Sequence, residues 1–183
     1  MILVFLLPLP NIPSLAGWND FIRSSGRLVA FVLFGIAALT DHFDGKIARR
    51  QNLVTNFGRF LDPIADKMLV ISVLIALIQV GRLNALPALI VIFREFVVTG
   101  IRLLAAGKGK VIAASVLGKA KTVSQIVAIL IVLAEPTLIR LTGSFLSAAW
   151  IEGTGNLAIL VSLILTLVSG YDYLRESLSD LKG

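Results

Sequence analysis

The sequence predicts an all-α fold, a polytopic membrane helix bundle forming a single domain over 1–183. Three observations carry that expectation. The chain is 57% hydrophobic and 15% charged, against roughly 45–50% and 25% in soluble domains. Apolar stretches close to the roughly 20 residues that a helix needs to cross a bilayer recur along it. Glycine, proline and clustered charges, the residues that end spans, stand between them.

The opening "MILVFLLPLP" is apolar, but ten residues of helix reach only about 15 Å, roughly half the hydrocarbon thickness. It lacks the positive region of a signal peptide and is read as the tail of a first spanning helix whose beginning is absent from this chain. A re-entrant or interfacial segment is the alternative. Spans are expected at 27–48, at 58–80 through "MLVISVLIALIQV", and at 85–106 through "ALPALIVIFREFVVTGIRLLAA". A fourth is expected at 112–134, stopping before Glu135–Pro136, and a last at 156–174. Gly81, Pro136 and "EGTG" at 152–155 are read as the turn formers between them.

The net charge of +6 would suggest nucleic acid in a soluble chain. Here it is read against the spans, since cytoplasmic loops of membrane proteins collect Lys and Arg, and no nucleic-acid partner is expected. With the 40–67 region on one side and the spans alternating, thirteen basic residues fall on that side. Four, Arg23, Arg27, Arg82 and Arg140, fall on the other. The aspartate-rich region and the C-terminus are therefore expected in the cytoplasm. The chain has no cysteine and one histidine, His42, which excludes thiolate and multi-histidine metal sites.

Asp41 and Asp44 are three apart, and Asp62 and Asp66 four apart. On helices each pair shares a face. The first pair ends one span and the second begins the next, so antiparallel neighbours would gather all four carboxylates at the cytoplasmic boundary. A charge at mid-membrane costs about 2.5–3.5 kcal/mol on insertion scales, and clustered carboxylates repel unless a cation sits among them. Two divalent ions would balance the four aspartates, and oxygen ligands without His or Cys suit Mg²⁺ or Mn²⁺. Such a pair suggests phosphoryl-type transfer. Gly45, Ala48 and Gly58 interleave with the acids where a ligand could approach backbone closely, and Arg49 offers a donor fork for phosphate. A solvated loop with small residues packing helices competes well against either acid pair alone and poorly against the combination.

The pattern Asp41-x2-Asp44-Gly45-x2-Ala48-Arg49-x8-Gly58-x3-Asp62-x3-Asp66 resembles the CDP-alcohol phosphotransferase signature at every fixed position. "TNFGRFLDPIADK", "REFVVTGIRLLAA" and "AASVLGKAKTVSQ" are similar to its bacterial phosphatidylglycerophosphate synthase branch. The resemblance covers roughly 30–134. It implies a six-helix membrane enzyme, with the first helix truncated in this chain, usually a homodimer in the bacterial plasma membrane. Its substrates would be CDP-diacylglycerol and sn-glycerol 3-phosphate. Asp41, Asp44, Asp62 and Asp66 would hold two Mg²⁺ or Mn²⁺ ions, Gly45, Ala48, Arg49 and Gly58 would frame the nucleotide, and Asp66 would be the general base. Family members usually begin with an Asn-x-Pro-Asn segment and a complete first span, from which this chain departs.

An anionic acceptor needs cations. Arg94 and Arg102 are eight apart, near one helical face, and Lys119 and Lys121 open the next span. These four are the candidates for the acceptor phosphate. Snorkelling to the interface or attraction to anionic lipid heads is the competing role, more so for Lys108 and Lys110. Glu95 is read as a salt-bridge or helix partner and not a catalyst, and His42 as no ligand. Another acceptor (inositol phosphate, serine or phosphatidylglycerol) is the alternative within the family. Outside it stands a divalent-cation transporter, which the absence of acids toward the far side of the spans argues against.

Overall fold

The computed structural model describes residues 5–7, 16–51, 56–107, 115–143 and 145–182, with the backbone alone over 41–51, 56–66, 106 and 176–182. Every long element is a helix. Helix α1 (Ala16–Phe21) runs through a π-helical turn (Ile22–Gly26) into α2 (Arg27–Gln51). Four further helices follow: α3 (Asn56–Gln79), α4 (Ala85–Gly107), α5 (Val116–Thr142) and α6 (Ala148–Lys182). Among the described residues, three stretches are long and apolar enough to cross a membrane: Ala16–Thr40, Val116–Thr142 and Ala148–Arg175.

The first span starts well before 27 because the polar "RSSG" segment is absorbed into the π turn instead of ending the helix. There the Ser24 hydroxyl donates to the Phe21 carbonyl at 3.1 Å, and Arg140 of α5 donates to the Ser24 carbonyl at 2.5 Å. The loosened backbone is thus satisfied from a neighbouring helix. Gly26 closes the turn against the Phe5 carbonyl, in space a Cβ would occupy. Of the opening apolar segment the structure describes residues 5–7, a turn with Leu6 buried in the core.

Gly81 ends α3 as expected. Its φ of 73° is the left-handed cap, and the Arg82 amide donates to the Leu77 carbonyl at 2.9 Å. Two expected boundaries fall elsewhere. Helix α5, capped by Ser115 accepting from the Gly118 amide at 3.1 Å, continues through Glu135–Pro136 to Thr142. Helix α6 starts at Ala148 and carries "EGTG" inside it. Membrane helices tolerate internal proline where neighbours re-satisfy the freed groups, and Gly155 serves close helix contact instead of a turn.

Helices α5 and α6 pack together most extensively; α2 lies on α5, α4 on α6, and α3 against α4 and α5. The core between them is formed by Phe34 of α2, Val73 and Leu77 of α3, Val91 of α4, and Val132 and Leu133 of α5. Large apolar side chains such as Phe93, Phe96, Leu157 and Ile164 face outward. In a chain with this composition, that is the surface lipid covers.

Candidate active site

The signature residues occupy two consecutive helices. Asp41, Asp44, Gly45, Ala48 and Arg49 stand in the last part of α2, and Gly58, Asp62 and Asp66 in the first half of α3. The connection 52–55 and the side chains of all eight signature residues lie outside the described residues, as do Lys108 and Lys110 and the side chain of His42. Helical backbone at both acid pairs keeps each pair on one face of its helix, and the short connection brings the two helix ends to the same end of the bundle.

Side-chain geometry begins one residue after Asp66. Lys67 donates to the Thr99 hydroxyl, which donates to the Glu95 carbonyl at 2.7 Å on the preceding turn of α4. The Glu95 carboxylate receives two cations on one oxygen: Arg94 Nη1 at 3.0 Å and Lys121 Nζ from α5. Arg94 reaches α6 as well, its Nη2 donating to the Ser169 hydroxyl at 3.0 Å. Its stem crosses α6 at Gly170, where an added Cβ would stand 3.1 Å from Arg94 Cγ. The seam continues inward: Gln125 donates to Thr166 at 3.2 Å, and Thr166 to the Ser162 carbonyl at 2.7 Å.

Burial decides how these charges stay charged. Lys121 is 2% exposed and Glu95 8%. A lone ion in such surroundings costs several kcal/mol, so the pairing is a condition of their being there. Arg94, Lys121 and Glu95 together carry a net +1. Of the four acceptor candidates, the structure brings Arg94 and Lys121 together on Glu95. Arg102 and Lys119 remain exposed, with the Arg102 guanidinium 5.3 Å from the centre of the buried Tyr173 ring. Glu95 is a salt-bridge partner, as its sequence context suggested.

Sequence reasoning missed the α6 contribution. Ser162, Thr166, Ser169 and Tyr173 recur at helical spacing through an apolar run, and all four are buried. That periodic stripe of hydroxyls was the available signal.

A second ionic cluster lies at the opposite end of the bundle, where Glu135, buried inside α5, corrects the expectation that no acid lies toward the far side of the spans. Arg82, in the α3–α4 connection, donates from Nε and Nη2 to the two Glu135 oxygens at 2.5 Å each. It also donates to Asn156 at 2.9 Å and to the Glu152 carbonyl at 3.1 Å. The hydrogen bond to Glu135 holds the Arg82 guanidinium above its ordinary pKa. Gly155 packs directly on the Glu135 carboxylate, which explains a glycine inside α6.

These features define an all-helical, multi-pass membrane protein with one acid pair in the last part of α2 and the other in the first half of α3, beside an internal cationic seam. A family model of the CDP-alcohol phosphatidyltransferases matches residues 1–168, and the chain belongs to that family. It is similar to the CDP-diacylglycerol–glycerol-3-phosphate 3-phosphatidyltransferase of Bacillus subtilis (strain 168). The two are 45% identical over 156 residues, covering 85% of this chain and 77% of that protein. The protein of the same name from Escherichia coli (strain K12) is 35% identical over 184 residues, 98% of this chain and 87% of the relative. A probable phosphatidylglycerophosphate synthase of Mycobacterium tuberculosis (strain H37Rv) is 40% identical over 161 residues, 88% and 71%.

Proposed function

We propose that this chain transfers the phosphatidyl group of CDP-diacylglycerol to sn-glycerol 3-phosphate, giving phosphatidylglycerophosphate and CMP. The observation that carries the proposal is the complete signature from Asp41 to Asp66, held on two consecutive helices. The names of relatives at 35–45% identity support the same acceptor.

The donor set suits hard divalent cations, since four carboxylates meet no thiol anywhere in the chain and a single imidazole. Asp41, Asp44, Asp62 and Asp66 would hold two Mg²⁺ or Mn²⁺ ions, which when bound offset the negative charge of the diphosphate. Gly45, Ala48 and Gly58 leave room beside the nucleotide, and Arg49 donates to its phosphate oxygens. Asp66 takes the proton of the acceptor's primary hydroxyl as that oxygen attacks the phosphatidyl phosphorus. The new P–O bond forms as the bond to the bridging oxygen breaks, and CMP leaves with that electron pair. Arg94, Arg102, Lys119 and Lys121 supply the positive field that holds the acceptor's phosphate.

The chain works as a homodimer in the bacterial plasma membrane, with the aspartate end and the C-terminus in the cytoplasm. The charge distribution supports this orientation. Setting aside the residues that bond within the bundle, Lys67, Arg94 and Lys121 on the aspartate side and Arg82 and Arg140 on the other, ten basic residues remain against two.

The test is CMP release by purified protein with Mg²⁺, CDP-diacylglycerol and each acceptor in turn. Strong preference for sn-glycerol 3-phosphate is expected. Preference for inositol phosphate, serine or phosphatidylglycerol would overturn the acceptor assignment. Metal uptake by proteoliposomes without CMP production would overturn the class of activity.

A further inference from the structure

Arg94 and Lys121 come from different helices and meet on one oxygen of Glu95. Three independent contacts fix Arg94 in that place. Glu95 takes Nη1, Ser169 takes Nη2, and the bare backbone at Gly170 admits the stem. The Ser169 hydroxyl is itself oriented, donating to the Thr166 carbonyl at 3.2 Å, so its lone pairs are left for Arg94. One guanidinium donor, Nε, is buried and has no partner among the described residues. The seam joins the signature through Lys67, the residue after Asp66, by way of Thr99.

We infer that Glu95, Ser169 and Gly170 form a positioning seat that presets Arg94 and Lys121 as a fixed cation pair, and thereby sets affinity and preference for a phosphomonoester acceptor. The inference rests on the phosphatidyltransfer reading and deepens it. Two neighbouring cations without a counter-ion would repel and separate, or would be too costly to bury. One shared carboxylate holds them together and leaves these three described residues at net +1. That residue of charge favours an anionic acceptor and gains nothing from a neutral alcohol. Because donors already in place lose no freedom when the ligand arrives, the seat acts on acceptor affinity and not on the nucleotide-lipid.

Two charge-conserving substitutions separate position from charge. Glu95→Asp withdraws the carboxylate by one methylene, and Gly170→Ala pushes on Arg94 from the other side. Equilibrium binding of sn-glycerol 3-phosphate and of CDP-diacylglycerol to the full chain in detergent, measured calorimetrically beside CMP release, reads the outcome. Each variant is expected to weaken sn-glycerol 3-phosphate binding about tenfold or more, with CDP-diacylglycerol binding unchanged within about twofold. The double variant is expected to be little worse than the poorer single, because both act through Arg94. Ser169→Ala removes one bond without adding bulk and gives the same split more mildly, should either variant fail to fold. Unchanged acceptor affinity, or equal weakening of both ligands, overturns the seat. Wild-type protein that binds sn-glycerol 3-phosphate but releases no CMP overturns the transfer reading, while the affinities still judge the seat. Wild-type protein that does not bind it overturns both.

Discussion

Arg82→Met is expected to destabilise the fold by about 3–5 kcal/mol, the range for stripping a buried ion of its partner. The structure argues for the lower half of that range. Glu135 is 1% exposed and loses both charge-assisted bonds, each 2.5 Å long. The bonds to Asn156 and the Glu152 carbonyl join neutral, exposed partners and, at the weak end of the usual range, add about 1 kcal/mol together. Against this, Arg27 lies within electrostatic reach of Glu135 and offsets part of the lost charge. Arg82→Met combined with Glu135→Met should recover most of the loss, because an apolar pair leaves nothing uncompensated. The assay is denaturant-driven unfolding in mixed micelles, followed by the fluorescence of Trp18 and Trp150. A single variant within about 0.5 kcal/mol of wild type, or a double variant as unstable as the sum of the singles, would refute the reasoning.

Asp66→Asn should lower CMP release by about 10²- to 10⁴-fold, the usual worth of a general base, with the unfolding midpoint nearly unchanged. Chelation of divalent ions should abolish turnover, and Mg²⁺ or Mn²⁺ should restore it, read by the same CMP assay. The chain has no cysteine, so Ser147→Cys should react with an impermeant maleimide added outside intact cells, and Lys182→Cys only after permeabilisation. The reverse pattern would invert the assigned orientation. Gly26→Ala places a methyl against the Phe5 carbonyl and should destabilise by about 1–3 kcal/mol, measured as for Arg82.

The order of the helices was legible because long apolar runs are a strong signal, and Gly81 was legible because a left-handed cap asks for glycine. Of the expected spans, those at 58–80 and 85–106 form helices α3 and α4 but are not among the described stretches long and apolar enough to cross a membrane. The boundaries at 134 and 156 were not legible. Proline after an acid and a run of glycines read as turns when each residue is judged alone. Here Glu135 is neutralised by Arg82 from another connection, and Gly155 is small so that α6 can lie on that carboxylate. Both reasons depend on residues far away in sequence. The same holds for the cationic seam. Arg94 and Lys121 stood out as charges inside apolar runs, whereas Ser169 and Thr166 looked like ordinary small residues of a span. What assigned them was Arg94 crossing α6.

The two ionic clusters differ in a way that separates maintenance from chemistry. At the end away from the aspartates, Arg82 meets Glu135 atom for atom, with Arg27 and Glu152 adding one charge of each sign nearby. The sum is neutral, and nothing there would attract an ion. Near the signature, Arg94 and Lys121 share one Glu95 oxygen, so these three described residues sum to +1. Within that trio one cation is not balanced by Glu95, and burying it is a cost that the trio alone does not offset. The imbalance becomes favourable when an anion arrives to share it, and a phosphate bound there would sit beside the helix that carries Asp62 and Asp66. Variants of the Arg82–Glu135 cluster should therefore move the unfolding midpoint, while variants of the Arg94–Glu95–Lys121 trio move acceptor affinity.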